Sequence, residues 1–161
     1  MELIAAVDRD WAIGRGEELL FSIPEDLARF KSLTWGKAIV YGHKTMVTFP
    51  GGNPLSGRKN YVLTHHPEQV PAPAQGVASV EDLLEVARQE PTLFVAGGEQ
   101  VYRQLLPFCD GAWITQIDAQ GGGDRFLSNL DRMPEWQLAE VSEWKHWQDL
   151  RFRFCHYLKK T

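Results

Sequence analysis

Hydrophobic positions along this chain fall into short continuous runs, and the runs alternate with stretches of helical spacing. Residues 3–7 form an apolar run and read as a buried strand. Residues 38–41, 60–63, 92–96 and 112–117 read the same way. Residues 8–21, rich in charge and glycine, read as a loop. Ser22-Ile23-Pro24-Glu25 has the form of a capping box, with Ser22 as N-cap and proline in the first turn; the helix should run to about residue 34 and stop before Gly36. Residues 43–49 read as a short helical turn ended by Pro50-Gly51-Gly52. Ser79-Val80-Glu81-Asp82 caps another helix, in which Val80, Leu83, Leu84 and Ala87 keep the i, i+3, i+4, i+7 spacing. A further helix starts at Glu99, carries Val101, Tyr102, Leu105 and Leu106, and ends at Pro107. Residues 71–76 and 121–124 read as turns. From Trp136 the pattern changes, and residues 150–154 alternate with period two, as a half-exposed antiparallel strand does. The sum predicts an α/β fold: a central, mostly parallel twisted sheet, helices on both faces, and a C-terminal antiparallel hairpin.

Composition narrows the class. At 161 residues one domain is expected, spanning 1–161. Charged residues are 24% and hydrophobic residues 43%, ordinary for a globular chain. No apolar run approaches the ~18–20 residues of a membrane helix, and Met1 to Asp8 has no basic region of the kind that opens a signal peptide. The formal net charge of −4 argues against a general nucleic-acid binder but not against a small anionic ligand held by a local basic cluster. Cys109 and Cys155 are far apart and read as reduced, small buried hydrophobes; with no export signal the expected compartment is the cytoplasm. No Cys/His spacing suggests a zinc site, and no metal is expected.

Four features could carry chemistry. Asp26 shares a helix face with Ile23, Leu27, Phe30 and Leu33. It is either a first-turn aspartate stabilised by the helix dipole or a carboxylate at the edge of an apolar pocket, gripping a planar ligand through paired hydrogen bonds. Gly97-Gly98, between a strand and a helix, is either a tight turn or a place where backbone comes close to a phosphate; the G-x-G-x-x-G fingerprint is absent. Gly42-His43-Lys44-Thr45 also follows a strand and suits a phosphate, although the P-loop spacing is missing. A third strand ends in Thr64-His65-His66. Ligands of open α/β sheets bind at the carboxyl ends of strands, so three polar, partly cationic strand ends point to one anionic ligand with several phosphates. Arg58, after Pro54-Leu55-Ser56-Gly57, is either a solvated surface arginine or a fork for a substrate carboxylate.

Taken in order, Ile4-Ala5-Ala6, Ile13-Gly14, the run 23–31 (IPEDLARFK), Gly42-His43-Lys44-Thr45, the run 54–60 (PLSGRKN), the run 96–102 (AGGEQVY) and Thr115-Gln116-Ile117-Asp118 resemble bacterial dihydrofolate reductase, from residue 2 to about 158. The resemblance implies that fold and the NADPH-dependent reduction of 7,8-dihydrofolate to 5,6,7,8-tetrahydrofolate, for one-carbon metabolism. It implies that Asp26, supported by Thr115, binds the pterin ring nitrogen and 2-amino group, and that Phe21 lies beside the reacting ring. Hydride would pass to pterin C6 and a proton, through water, to N5. Ile4, Ala5, Leu27, Phe30, Phe49 and Leu55 would form the slot for the pterin and benzoyl rings, with Ala96 and Tyr102 at its floor. Arg58 would take the glutamate α-carboxylate, with Lys31 nearby. Ala6, Ile13, Gly14, Leu19, Ala96 and Tyr102 would bracket the nicotinamide. Gly97, Gly98, Glu99, Gln100 and Val101, with Gly42, Lys44 and Thr45, would hold the pyrophosphate. His43, Leu63, Thr64 and His65 would face the adenosine end with its 2′-phosphate. A monomer is expected.

The sequence departs from the family pattern at particular points. Leu20-Phe21 stands where Pro-Trp is frequent, and phenylalanine lacks the indole N–H that would hold a water. His43 stands where arginine is frequent, and histidine is only partly charged near neutral pH. The 14–21 loop should close over the nicotinamide as a lid does. The stretch around Asp124 is shorter by one residue, which leaves open whether Asp124 meets that loop. Two other readings are a pyrimidinone reductase of riboflavin synthesis and a non-catalytic folate- or NADPH-binding protein.

Overall fold

The computed structural model describes residues 1–16 and 18–161; Glu17, inside the expected loop 8–21, lies outside the described residues. In chain order the elements are β1 (Glu2–Val7), β2 (Ala12–Arg15), β3 (Glu18–Leu19), α1 (Pro24–Thr34), β4 (Ala38–Gly42), α2 (His43–Met46), β5 (Lys59–Leu63), β6 (Gln75–Val77), α3 (Val80–Gln89), β7 (Leu93–Val95), α4 (Glu99–Leu105), β8 (Gly111–Ile117), β9 (Arg125–Phe126), β10 (Trp136–Val141), β11 (Lys145–Trp147) and β12 (Leu150–Lys159). The main sheet runs β10-β12-β8-β1-β7-β4-β5-β6, with β11 also on β12. Every pairing from β8 across to β6 is parallel, and the β12 pairings are antiparallel.

Strand alternation sorts side chains onto two faces. Ala38 and Val40 join a core with Leu83 of α3 and with Val101 and Leu105 of α4. Ile39 and Tyr41 face the other way, into a core that Phe30 and Leu33 of α1 complete. Both faces of β4 are therefore covered, which is why it reads as a continuous apolar run. Among the described residues no helix is long and apolar enough to cross a membrane.

Three expectations need correction. Ser22 does not cap α1: Ile23 is the N-cap residue, no side chain caps the helix, and Pro24 opens it. Ile23 is only 2% exposed and joins Ile117 and Phe152 in a third small core, so its burial sets where the helix begins. At α3 the expected cap is present, with the Asp82 N–H donating to Ser79 Oγ at 3.1 Å. Residues 8–21 are not all loop: β2 pairs with β3 and with the distant β9. Residues 75–77 are strand, paired to β5 at the sheet edge. The expected C-terminal antiparallel hairpin is present as β11 and β12, and the ten-residue β12 also lies between β8 and β10.

Candidate active site

The parallel strands end on one side of the sheet, and a cleft of about 1600 Å³ opens there. The three polar strand ends, at His43 to Thr45, at Thr64-His65 and at Gly97-Gly98, all line it, and so does Asp26. Every other residue singled out above as a substrate or cofactor contact also lies on its walls, Phe21 included.

Asp26 sits in the first turn of α1 and is half-buried. The Thr115 hydroxyl, from the middle of β8, donates to its Oδ1 at 2.5 Å. Burial pushes the Asp26 carboxyl up from its ordinary range; the Thr115 hydrogen bond and the charge of Arg29 pull in the opposite direction without cancelling it. Near it, the buried Tyr102 hydroxyl donates to the Ile4 carbonyl at 2.7 Å, tying α4 to β1. Leu27 stays 47% exposed because its face of α1 looks into the open cleft and not into packed core.

Arg58 is held by its surroundings. Its Nε and Nη2 donate to the Ser56 carbonyl at 2.9 and 2.7 Å, and its Nη1 to Thr34 Oγ1 at 3.3 Å. Its guanidinium also lies 5.5 Å from the Trp35 ring centre, and the Lys31 ammonium lies 5.3 Å from the same ring. The loop beneath is organised by buried Asn60. Its Oδ1 accepts from the Tyr41 hydroxyl (2.8 Å) and the Leu55 N–H (3.0 Å), while its Nδ2 donates to the carbonyls of Leu55 (2.8 Å) and Arg58 (3.0 Å). Burial raises the Tyr41 hydroxyl to a pKa of about 12, which keeps it a donor. The sequence reading took Asn60 as an ordinary strand residue. An amide inside an apolar strand run was the available signal, since such a group must find partners.

At the third strand end, Gly97 has φ +118°, a region that side chains rarely adopt. A Cβ on Gly98 would stand 3.2 Å from Thr45 Oγ1. The glycines thus keep backbone and hydroxyl open to the cleft. Asp124 does meet the 14–21 loop: its Oδ1 accepts the Gly16 N–H at 2.8 Å, and its own N–H donates to the Gly14 carbonyl at 3.0 Å. Asp8, buried at the start of that loop, accepts N–H groups from Asp10, Ala12 and Gly121. Two further cleft residues went unremarked in the sequence. Arg29 spreads over the Phe154 and Trp113 rings, and Trp113 stacks on His156 with ring centres 3.7 Å apart. Neither carried a local signal, because both depend on strands joined only in the folded sheet.

The family model described as "Dihydrofolate reductase" matches residues 1–159. The dihydrofolate reductase of Neisseria meningitidis serogroup B is 35% identical over 158 residues, covering 98% of this chain and 96% of that protein. The dihydrofolate reductase of Bacillus subtilis is 35% identical over 143 residues, 89% of this chain and 83% of its own length. A solved structure of dihydrofolate reductase from Enterococcus faecalis, complexed with NADP(H) and RAB-propyl, superposes with a TM-score of 0.87 at 26% identity, covering 99% of this chain and 96% of the other. A match along nearly the whole length, on the fold as well as the sequence, leaves one assignment: this chain belongs to the dihydrofolate reductase family.

Proposed function

We propose that this protein reduces 7,8-dihydrofolate to 5,6,7,8-tetrahydrofolate with NADPH, and that Asp26 is its catalytic carboxylate. The observation that carries the proposal is the half-buried Asp26–Thr115 pair facing the same cleft as the three polar strand ends.

Asp26 holds the pterin by its ring nitrogen and 2-amino group, a paired set of hydrogen bonds that fixes the plane of the ring. Thr115 fixes the carboxyl in turn. A carboxyl whose pKa is raised can share a proton with the ring it binds, which favours the protonated substrate. N5 takes its proton from water, since a carboxyl engaged at the ring nitrogen and amino group does not reach it. Ile4, Leu27, Phe30, Phe49 and Leu55 exclude water from the rest of the ring system. Arg58, already held in place, receives the glutamate α-carboxylate with Lys31 beside it.

The strand ends suit a dinucleotide phosphate. A side chain at 98 would crowd Thr45 Oγ1, and the positive φ at 97 disfavours one there, so these glycines leave room for a group that needs close backbone approach. NADPH supplies the hydride for pterin C6. Gly97 to Val101, with Gly42, Lys44 and Thr45, hold its pyrophosphate; His43, Leu63, Thr64 and His65 face its 2′-phosphate end. Ala6, Ile13, Gly14 and Leu19 keep water from the nicotinamide side, and the Asp124 contact to Gly16 holds that flap against β9. The two free, buried thiols suit a reducing compartment such as the cytoplasm.

Loss of NADPH absorbance on adding dihydrofolate tests the proposal. Turnover is expected. Binding of both ligands without turnover would turn the reading to a storage protein, and turnover only with a ribityl-phosphate pyrimidine would turn it to a pyrimidinone reductase.

A further inference from the structure

Arg29 presents a cation that none of the contacts described above neutralises. It lies one helical turn beyond Asp26, and side chains three apart on a helix are neighbours. Its guanidinium carbon is 4.1 Å from the Phe154 ring centre and 5.5 Å from that of Trp113. Those two rings stand diagonally on β12 and β8, where Phe154 pairs with Thr115 and His156 with Trp113. Thr115 is the residue bonded to Asp26. The surface that holds the carboxyl therefore also holds the cation beside it. Stacking on two rings fixes a guanidinium without neutralising it.

The neighbouring charges are accounted for. On β11, Lys145 reaches the Phe154 ring from 5.9 Å, but its ammonium pairs with Glu25 at 3.3 Å. Behind Trp113, Glu2 accepts from the indole N–H at 3.2 Å and lies 3.9 Å from His156 Nε2. Arg153 and Cys155 flank Phe154 in sequence and so point to the other face of β12; Arg153 donates to Gln116. On α4, the Tyr102 hydroxyl is engaged by the Ile4 carbonyl. Among the described residues no carboxylate comes within 4 Å of Arg29.

We propose that Arg29 is a positioning residue for the reduction, acting through Asp26 as a fixed positive charge that opposes protonation of the pocket carboxyl. The proposal rests on the assignment of Asp26 above and adds the group that sets its working pH range. Consistent with the geometry, the Arg29 charge works against the burial that raises the Asp26 carboxyl, and Asp26 in turn favours the charged guanidinium.

The test is titration of the Asp26 carboxyl by carbon-13 NMR in the enzyme without ligands, alongside the pH profile of single-turnover hydride transfer. Wild type, Arg29→Met, Arg29→Gln and Arg29→Lys are compared. Both neutral variants are expected to move the midpoint up by about 0.5–1 pH unit, at or just below the low end for an opposite charge within ~4–6 Å. The lysine variant should stay near wild type. An unchanged midpoint in the neutral variants overturns the proposal. A lysine variant that moves as far as methionine overturns it too, by assigning the effect to packing. Failure of both neutral variants to fold would assign Arg29 to stability and overturn it as well. The NMR titration needs no turnover, so a wild type that fails to reduce dihydrofolate would count against the function and not be mistaken for a result on Arg29.

Discussion

Thr115 donates its hydroxyl to Asp26 across a gap of 2.5 Å, joining the middle of β8 to the first turn of α1. These residues are 89 positions apart in the chain, and their contact makes one chemical unit of a strand and a helix. The hydroxyl takes one acceptor position of Oδ1 and leaves positions on both carboxylate oxygens for a ligand, and it pulls against the burial that raises the carboxyl.

Replacing Asp26 with asparagine should preserve the fold and NADPH binding while lowering turnover by ~10² or more near pH 7, the range for an acid–base residue. Steady-state kinetics on the purified variant, with NADPH affinity followed by fluorescence, would check this. Turnover within a few-fold of wild type would return Asp26 to the status of a helix-dipole residue.

The same variant should be more stable than wild type at neutral pH. The folded-state pKa of Asp26 lies above its ordinary value of 3.8, so between the two the folded chain binds more protons than the unfolded chain. The group's stabilising contribution is full below 3.8 and is lost as pH rises through the folded-state value. Asparagine does not titrate. The Tm gap in favour of the variant should open above pH 3.8 and then level off, each kcal/mol being worth about 2–4 °C for a chain of this size. Thermal scans from acid to neutral pH would read it; a gap that closes as pH rises contradicts the assignment of burial as the cause.

Arg58→Leu should raise the KM for dihydrofolate far more than that for a pterin without the glutamate tail, by ~10-fold or more, as expected for loss of a charge-assisted pair. Asn60→Ala should act on the same loop by another route. It leaves the Tyr41 hydroxyl and the Leu55 backbone without partners and should cost about 1–3 kcal/mol for each group left unsatisfied. Chemical denaturation and paired KM values would separate the two effects. Equal losses for tailed and tailless substrates in the Arg58 variant would remove it from the tail site.

His43 and His65 stand exposed on the walls of the cleft, where we propose that they face the adenosine 2′-phosphate. His43→Ala and His65→Ala should each lower the kcat/KM ratio of NADPH to NADH by about 2–5-fold, the loss of one exposed polar contact to a phosphate. His43→Arg should raise it. An unchanged ratio in both alanine variants would show that neither side chain meets the phosphate.

What could be read from the sequence was local. Apolar runs at β1, β4, β5, β7 and β8 marked the strands because a strand covered on both faces has no polar positions to hide it. Ser79 marked α3 because a cap is made within four residues. The same logic failed at Ser22, where burial of Ile23 against Ile117 and Phe152 outweighed a local hydrogen bond. Residue identity also made Asp26, Arg58 and the paired glycines candidates, each with an ordinary structural explanation beside it.

Tertiary structure decided which of these residues share one cleft. The pairing of β2 with β9, the four-bond engagement of Asn60, the meeting of Asp124 with Gly16 and the placement of Arg29 over Trp113 and Phe154 all join segments that are separate in the chain. Chain order encodes propensity and periodicity over a few residues. Only the register of the assembled sheet brings distant groups to hydrogen-bonding distance, and in this protein that register puts a carboxylate, a hydroxyl and a guanidinium on one wall of the cleft.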